Sequence, residues 1–237
     1  MTSDDRREQV GWKDGVLPVS GLFDDPYFSL QDGLAETRHV FLGGSGLPGR
    51  FCDGFRVAEL GFGTGLNLLA TVICWREAGC AGRFHYTSFE AYPMPAADMA
   101  RALAAFPAAL AVAGPLLDAW GAGRRRFDLA EASVEVMVGD ARESLPAWGG
   151  QADAWYLDGF SPAKNPELWG EDLMADVARH TAPGGTFATY TAAGFVRRGL
   201  QAAGFQVERQ PGFGRKRHMS RGVLANGPGI KAGPRED

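Results

Sequence analysis

The rhythm of apolar positions changes near residue 54 of this chain. Up to about Gly54, apolar residues come in short pieces broken by turn formers, such as Asp24-Asp25-Pro26-Tyr27-Phe28-Ser29, with one polar-apolar stretch around Ala35 to Leu42. From Phe55 onward, short apolar runs alternate with longer mixed ones, the pattern of strand, turn and helix in repetition. Phe55–Leu60 predicts the first strand and Leu66–Ala78 its helix; Phe84–Glu90 predicts a second strand, followed by a helix over Ala97–Ala105. A further helix is expected over Pro107–Trp120, and Arg126–Ala130 with Ser133–Val138 read as paired strands or one bent strand. Ala154–Leu157 is a short buried strand, Pro166–His180 a helix with Pro at its start, Gly185–Thr191 a strand and Ala193–Ala203 a helix. Phe205–Arg209 and Gly222–Ala225 would close the sheet as an antiparallel hairpin.

This succession predicts an α/β, Rossmann-like fold: a mostly parallel sheet with a terminal antiparallel hairpin. Residues 1–54 form an N-terminal extension packed on the main domain of residues 55–225, and residues 226–237, rich in Gly, Pro and charge, form a loose tail. A length of 237 residues with 45% apolar content suits one large domain with a proper core.

Composition narrows the setting. With no long apolar run and no basic segment ahead of an apolar one, membrane insertion and secretion are not expected, and the chain is read as cytoplasmic. Cys52, Cys74 and Cys80 fall in no CxxC pair and are read as buried free thiols; His39, His85, His180 and His218 are scattered, so no metal site is expected. The net charge of −4 hides an asymmetry: between Phe195 and Ala225 stand Arg197, Arg198, Arg209, Arg215, Lys216, Arg217 and Arg221 against Glu208 alone, a local +6 that leaves −10 elsewhere. Such a patch suits phosphate contact, and a solvated face reads equally well from charge alone.

Candidate chemistry sits at predicted strand ends. Glu59-Leu60-Gly61-Phe62-Gly63-Thr64-Gly65-Leu66-Asn67 joins the first strand to its helix. Glycines there remove every Cβ from a tight turn, so a ligand can lie against bare backbone amides. A dinucleotide site would carry G-x-G-x-x-G and a pyrophosphate at the helix N-terminus. Here the spacing is G-x-G-x-G, preceded by the acidic Glu59. S-adenosylmethionine has no pyrophosphate but carries sulfonium and ammonium cations that favour a carboxylate, and E-x-G-x-G-x-G is the usual methyltransferase variant of this turn. A tight turn without a ligand is the other reading.

Glu90 ends the second strand, where an acidic residue accepts hydrogen bonds from ribose hydroxyls. Asp140 follows a later strand, placed to accept from an adenine amine, to cap a helix, or both. The loop Asp158-Gly159-Phe160-Ser161-Pro162-Ala163-Lys164-Asn165-Pro166 follows a buried strand and varies the D/N-P-P-Y/F motif of enzymes that methylate exocyclic amines. Asp158 is the candidate acceptor for the amine and Phe160 a stacking platform; a capped turn with a core Phe is the bland alternative.

These strings, with Tyr27-Phe28-Ser29, Asp32-Gly33-Leu34-Ala35-Glu36-Thr37-Arg38-His39-Val40-Phe41-Leu42 and Gly212-Phe213-Gly214-Arg215-Lys216-Arg217, resemble the methyltransferase half of the MnmC family, also found free-standing as MnmD. The match runs from about Tyr27 to Leu224. The resemblance implies a class I S-adenosylmethionine-dependent methyltransferase that converts 5-aminomethyl-2-thiouridine at the tRNA wobble position to 5-methylaminomethyl-2-thiouridine. It implies that Glu59, Gly61, Gly63, Gly65, Asn67, Glu90 and Asp140 hold S-adenosyl-L-methionine and that Asp158 faces the amine. Tyr27, Phe160, Lys164, Arg215, Lys216 and Arg217 would meet the tRNA, the last three gripping anticodon-loop phosphates. It also implies functional coupling to the enzymes that make the aminomethyl group.

Two positions depart from the family: Ala91 stands where Lys is frequent, and His218 where Glu is usual. No second glycine-rich fingerprint follows, so the FAD-dependent activity of bifunctional members is not expected. A nicotinamide-dependent oxidoreductase is disfavoured by the glycine spacing, and a catalytically silent tRNA-binding module by the intact cofactor and acceptor motifs.

Overall fold

The computed structural model describes residues 10–29 and 32–225, so the tail read at residues 226–237 lies outside the described residues. The chain opens with an antiparallel hairpin, β1 (Val10–Lys13) and β2 (Leu17–Ser20), and a short helix, α1 (Gly33–Thr37), that runs on as a π-helical stretch over Arg38–Gly43. The main domain follows as β3 (Arg56–Leu60), α2 (Leu66–Glu77), β4 (Phe84–Glu90), α3 (Ala96–Leu103), α4 (Pro107–Leu110), α5 (Gly114–Gly121), β5 (Arg126–Asp128) and β6 (Ala132–Val138). It continues with α6 (Ala141–Ser144), β7 (Ala152–Leu157), a 3-10 turn (Pro166–Trp169) and α7 (Glu171–Arg179). The last elements are β8 (Thr181–Thr189), α8 (Gly194–Ala202), β9 (Phe205–Pro211) and β10 (His218–Leu224).

The main sheet has eight strands in the order β5-β6-β4-β3-β7-β8-β10-β9. The run from β6 to β8 is parallel, while β5 and β10 lie antiparallel to their neighbours and β9–β10 form the closing hairpin. The chain leaves β3 toward β4 and later returns to β3's other side as β7. Strand order reverses between β3 and β7, and in open α/β sheets the ligand crevice lies outside the carboxyl ends at that point.

Period-two alternation along the strands sorts side chains into a core on each face of the sheet. Val57, Tyr86, Val134 and Tyr156 join the α2 side, and Leu60, Phe89, Trp155 and Leu157 the α7–α8 side. Residues Leu66 to Trp75 of α2 are buried throughout, which explains why this helix is apolar all round rather than striped.

Four expectations change. The helix read over Pro107–Trp120 is split at Ala113-Gly114-Pro115, where Pro lacks the N–H a continuous helix needs. The helix read over Pro166–His180 begins as the 3-10 turn and restarts after Gly170, whose ψ of 154° is extended. Strands β8 and β10 start at Thr181 and His218 rather than Gly185 and Gly222, because β7 pairs with β8 from Ala152 onward through a register shift and β9 pairs with β10 from Pro211. Of the thiols read as buried, Cys74 is buried but Cys80 is half-buried and Cys52 exposed. No helix among the described residues is long and apolar enough to cross a membrane.

Candidate active site

The site grows from the two strands at the reversal point. Beyond β3 the backbone enters the glycine turn, with φ of +84° at Gly61, +53° at Gly63 and +76° at Gly65, all in the region that favours glycine. Beyond β7 it enters the Asp158 loop. The two turns touch: a Cβ on Gly61 would fall 3.1 Å from the Cα of Gly159, and one on Gly63 would fall 3.2 Å from the Tyr27 ring. Glu90, at the end of β4, accepts from the Gly63 amide at 2.9 Å and the Tyr92 amide at 2.7 Å, so a carboxylate braces the turn from its neighbour strand.

Asn67, in the first turn of α2, organises the floor. Its Nδ2 donates to Glu59 Oε1 and to Asp158 Oδ2, each at 2.8 Å, and its Oδ1 accepts from Thr37 Oγ1 at 2.8 Å. Glu59 also accepts from Ser88 Oγ at 2.8 Å, and Asp158 Oδ1 from the Gly159 amide at 2.8 Å. Burial pushes the Glu59 carboxyl up to about 8 against the pull of Asn67 and Ser88, and the charge of Asp158 adds to the rise. Burial likewise pushes Asp158 up to about 6, opposed by Gly159, Asn67 and Lys216. Burial thus disfavours charge on both acids, more strongly on Glu59 than on Asp158. The Asn67 amide, donating to both, offsets part of the cost of keeping charge there.

Above this floor lies a cavity of about 640 Å³, within the usual range for small-molecule sites of roughly 300–1,000 Å³. Its roof comes from the segment expected only to pack on the domain: Phe23, Asp25, Tyr27, Phe28, Glu36 and Thr37 all line it. Phe160 stacks on Phe23 at 4.7 Å between centroids and meets Tyr27 edge-on at 5.1 Å. Lys164 Nζ donates to the Asp24 carbonyl and lies 3.3 Å from the Asp24 carboxylate, while the Ser161 amide donates to Asp25 Oδ2 at 2.8 Å. The acceptor loop is thus tied to the N-terminal segment by rings and by charge.

The structure gathers most of the expected residues and separates some. Gly61, Gly63, Asn67, Glu90, Asp140, Asp158, Tyr27, Phe160, Lys164 and Lys216 line this cavity. Glu59 does not: strand alternation turns its side chain under α2, where it is fully buried behind Asn67. Gly65 lies behind the turn, against Leu116 and Phe62. Asp140 caps α6 by accepting from the Arg142 amide and holds the Arg142 guanidinium at 2.6 Å, while still facing the cavity. The basic triplet divides, with Arg215 and Arg217 exposed while Lys216 reaches Glu36 at 2.8 Å. Phe23, Glu36, Thr37 and Tyr190 line the site without having been assigned a role; Glu36 and Thr37 stand in one of the family-like strings, but none of the four lies at a glycine turn or strand-end acid, so no local spacing marks them. Among the described residues no group of three or more His, Cys, Asp or Glu is placed to hold a metal ion.

These features suit S-adenosyl-L-methionine. A cradle where Cβ atoms would collide accepts close backbone approach. Carboxylates of Glu90, Asp140 and Asp158 suit a ligand bearing sulfonium and ammonium charges, and Phe62, Leu66 and Phe89 suit its apolar parts.

Comparison with known proteins agrees with this geometry. Over 98% of its length the chain is 47% identical to the tRNA 5-methylaminomethyl-2-thiouridine biosynthesis bifunctional protein MnmC of Caulobacter sp. (strain K31), of which the match covers 40%. It is 51% identical, over 93% of its length, to the MnmC protein of Caulobacter vibrioides, of which the match covers 38%. The chain thus spans about two fifths of the length of these curated relatives. Among solved structures, MNMC2 from Aquifex aeolicus superposes with a TM-score of 0.72 at 25% identity, over 92% of this chain and 70% of that one. Residues 107–225 match the family described as S-adenosyl-L-methionine-dependent methyltransferase, half of the chain and including the Asp158 loop. With that match added to the glycine cradle and its strand-end acids, the chain belongs to this family of S-adenosyl-L-methionine-dependent methyltransferases.

Proposed function

We propose that this methyltransferase acts on tRNA, methylating the primary amine of 5-aminomethyl-2-thiouridine at the wobble position to give 5-methylaminomethyl-2-thiouridine. The observation that carries this reading is Asp158: a carboxylate aimed into the cavity beside the glycine cradle, held by Asn67 and Gly159 and pushed up to about 6. The relatives named for the biosynthesis of that nucleoside support the choice of substrate. A cytoplasmic setting and coupling to the enzymes that make the aminomethyl group belong to the same reading.

Gly61 and Gly63 would hold the methyl donor, with Glu90 and Asp140 at its polar groups; when bound it would supply a sulfonium methyl whose bond to sulfur breaks as the bond to the amine forms, leaving S-adenosylhomocysteine. An alkylamine is mostly protonated at neutral pH, as lysine is, and a nucleophile needs its lone pair. Asp158, ionised above about pH 6, orients the amine and accepts or relays the proton it must lose. Asn67 fixes the carboxylate so that little reorganisation is needed, and alignment supplies much of the remaining rate. The Phe23–Tyr27–Phe160 cluster offers aromatic surface for the base, and Arg215 and Arg217 offer cations for phosphates.

The test is mass spectrometry of nucleosides after incubating the protein with S-adenosyl-L-methionine and tRNA bearing the aminomethyl group. Gain of one methyl group on that nucleoside is expected. Cofactor binding without any methyl gain would leave a tRNA-binding module or a different acceptor.

A further inference from the structure

Three distant parts of the chain meet around one ammonium. Lys216 Nζ lies 2.8 Å from Glu36 Oε1 and 4.1 Å from the centroid of the Tyr190 ring. Glu36, in α1, is buried, and Tyr190, just past β8, is anchored by donating its hydroxyl to the Gly159 carbonyl at 2.8 Å. Both therefore belong to the fixed wall beside Asp158. Lys216 does not: it rides on the turn between β9 and β10, its side chain 45% exposed, with Arg215 and Arg217 exposed on either side. Among the described residues those two arginines form no ion pair. A buried carboxylate beside an aromatic face is a receptor for a primary ammonium, through a charge-assisted hydrogen bond and a cation–π contact.

The group held there is –CH2–NH3⁺, the same group that an aminomethyl substrate presents before it loses its proton. All four residues, Glu36, Asp158, Tyr190 and Lys216, line one cavity. We propose that Glu36 and the face of Tyr190 form the subsite that recognises the substrate's ammonium, and that Lys216 occupies it in the free enzyme and is displaced when substrate binds. This inference rests on the aminomethyl substrate proposed above. One cation exchanges for another, so Glu36 is never left buried and unpaired. The arriving ammonium is then beside Asp158, the group that takes its proton. Phosphates drawn to Arg215 and Arg217 would pull on the same turn and help free Lys216.

The experiment compares affinities for two tRNAs that differ only in the wobble aminomethyl group, with S-adenosylhomocysteine bound so that no transfer occurs. The wild-type protein should prefer the aminomethylated tRNA by about tenfold, the scale of a charge-assisted hydrogen bond. Glu36→Gln should lose that preference while binding S-adenosylhomocysteine as before, which reports an intact fold. Lys216→Met should keep or enlarge the preference, with the salt dependence of tRNA binding unchanged. The inference is overturned if E36Q retains the wild-type preference, or if K216M weakens both tRNAs equally with a shallower salt slope, the mark of a phosphate contact. Wild-type protein that methylates aminomethylated tRNA while E36Q keeps its preference removes only this subsite; wild-type protein that methylates no tRNA removes the function on which it rests.

Discussion

The floor of the cavity and its roof are built on different terms. On the floor, Asn67 donates to both Glu59 and Asp158 at 2.8 Å, a network set by strand ends and the first turn of a buried helix, and Thr37 of the N-terminal segment joins it by donating to Asn67 at 2.8 Å. On the roof, Phe23, Tyr27 and Phe160 pack as rings, and Lys164 and Lys216 make ion pairs whose lysine side chains are 38% and 45% exposed. A buried network is rigid because each member left unpaired would carry a desolvation penalty. Partly exposed ion pairs contribute little and exchange readily. The difference places precise chemistry on the floor and substrate admission on the roof.

The sharpest break of this division is Asp158→Asn, which keeps size and an acceptor but removes the charge. Methyl transfer should fall by about 10²-fold or more, the scale of acid–base groups. In the wild type, kcat/KM should rise with pH through about 6 as Asp158 ionises, and that limb should vanish in the variant. A variant that turned over like the wild type would move the amine's partner elsewhere. Binding of cofactor and tRNA should change little by comparison.

Next in size is Gly63→Val. A branched side chain at φ +53° and 3.2 Å from the Tyr27 ring would strain the turn by about 1–3 kcal/mol, weakening S-adenosylhomocysteine binding about tenfold or more. Calorimetry reads this directly, and an unchanged affinity would detach the glycine turn from the ligand.

A smaller effect separates charge from structure on the floor. Glu59 has a folded value raised from 4.5 to about 8, so the stability from keeping it neutral is complete below 4.5 and is lost as pH rises through about 8. The wild type should lose about 1 kcal/mol between pH 7 and 9 from this group. Glu59→Gln, neutral at every pH, should flatten that loss in denaturant titrations; an equally steep loss in the variant would show that Glu59 is already ionised at neutral pH.

Smallest is Lys164→Met on the roof. Breaking its contacts with Asp24 and Asp25 should cost under about 1 kcal/mol of global stability, yet hasten proteolytic nicking of the 22–29 segment. A large global loss would make the roof as structural as the floor.

The floor was legible because its residues are local signals at strand ends: three glycines in five residues, an acid at the end of β4, and Asp-Gly-Phe after β7. Strand β4 is Phe84–Glu90 in both expectation and structure, whereas β8 and β10 each begin four residues earlier than their residues suggest. Helix interruptions at Gly114-Pro115 and Gly170 are also written in the residues, although the surrounding apolar pattern runs on through both. What spacing did not reveal was direction. Glu59 sits at the motif's head yet points beneath it, because alternation along β3 sends it to the α2 face with Val57.

By itself, the sequence determined the parallel α/β layering, the glycine cradle and the acid that faces the cavity, since each depends on residues within one turn or strand. Only the tertiary structure decided that the N-terminal segment roofs the site, that Asn67 serves two carboxyls at once, and that Lys216 faces Glu36 across 180 positions of chain. The reason is physical: such contacts are chosen by which surfaces remain to be buried once the sheet has formed, and no local preference of the residues encodes that choice.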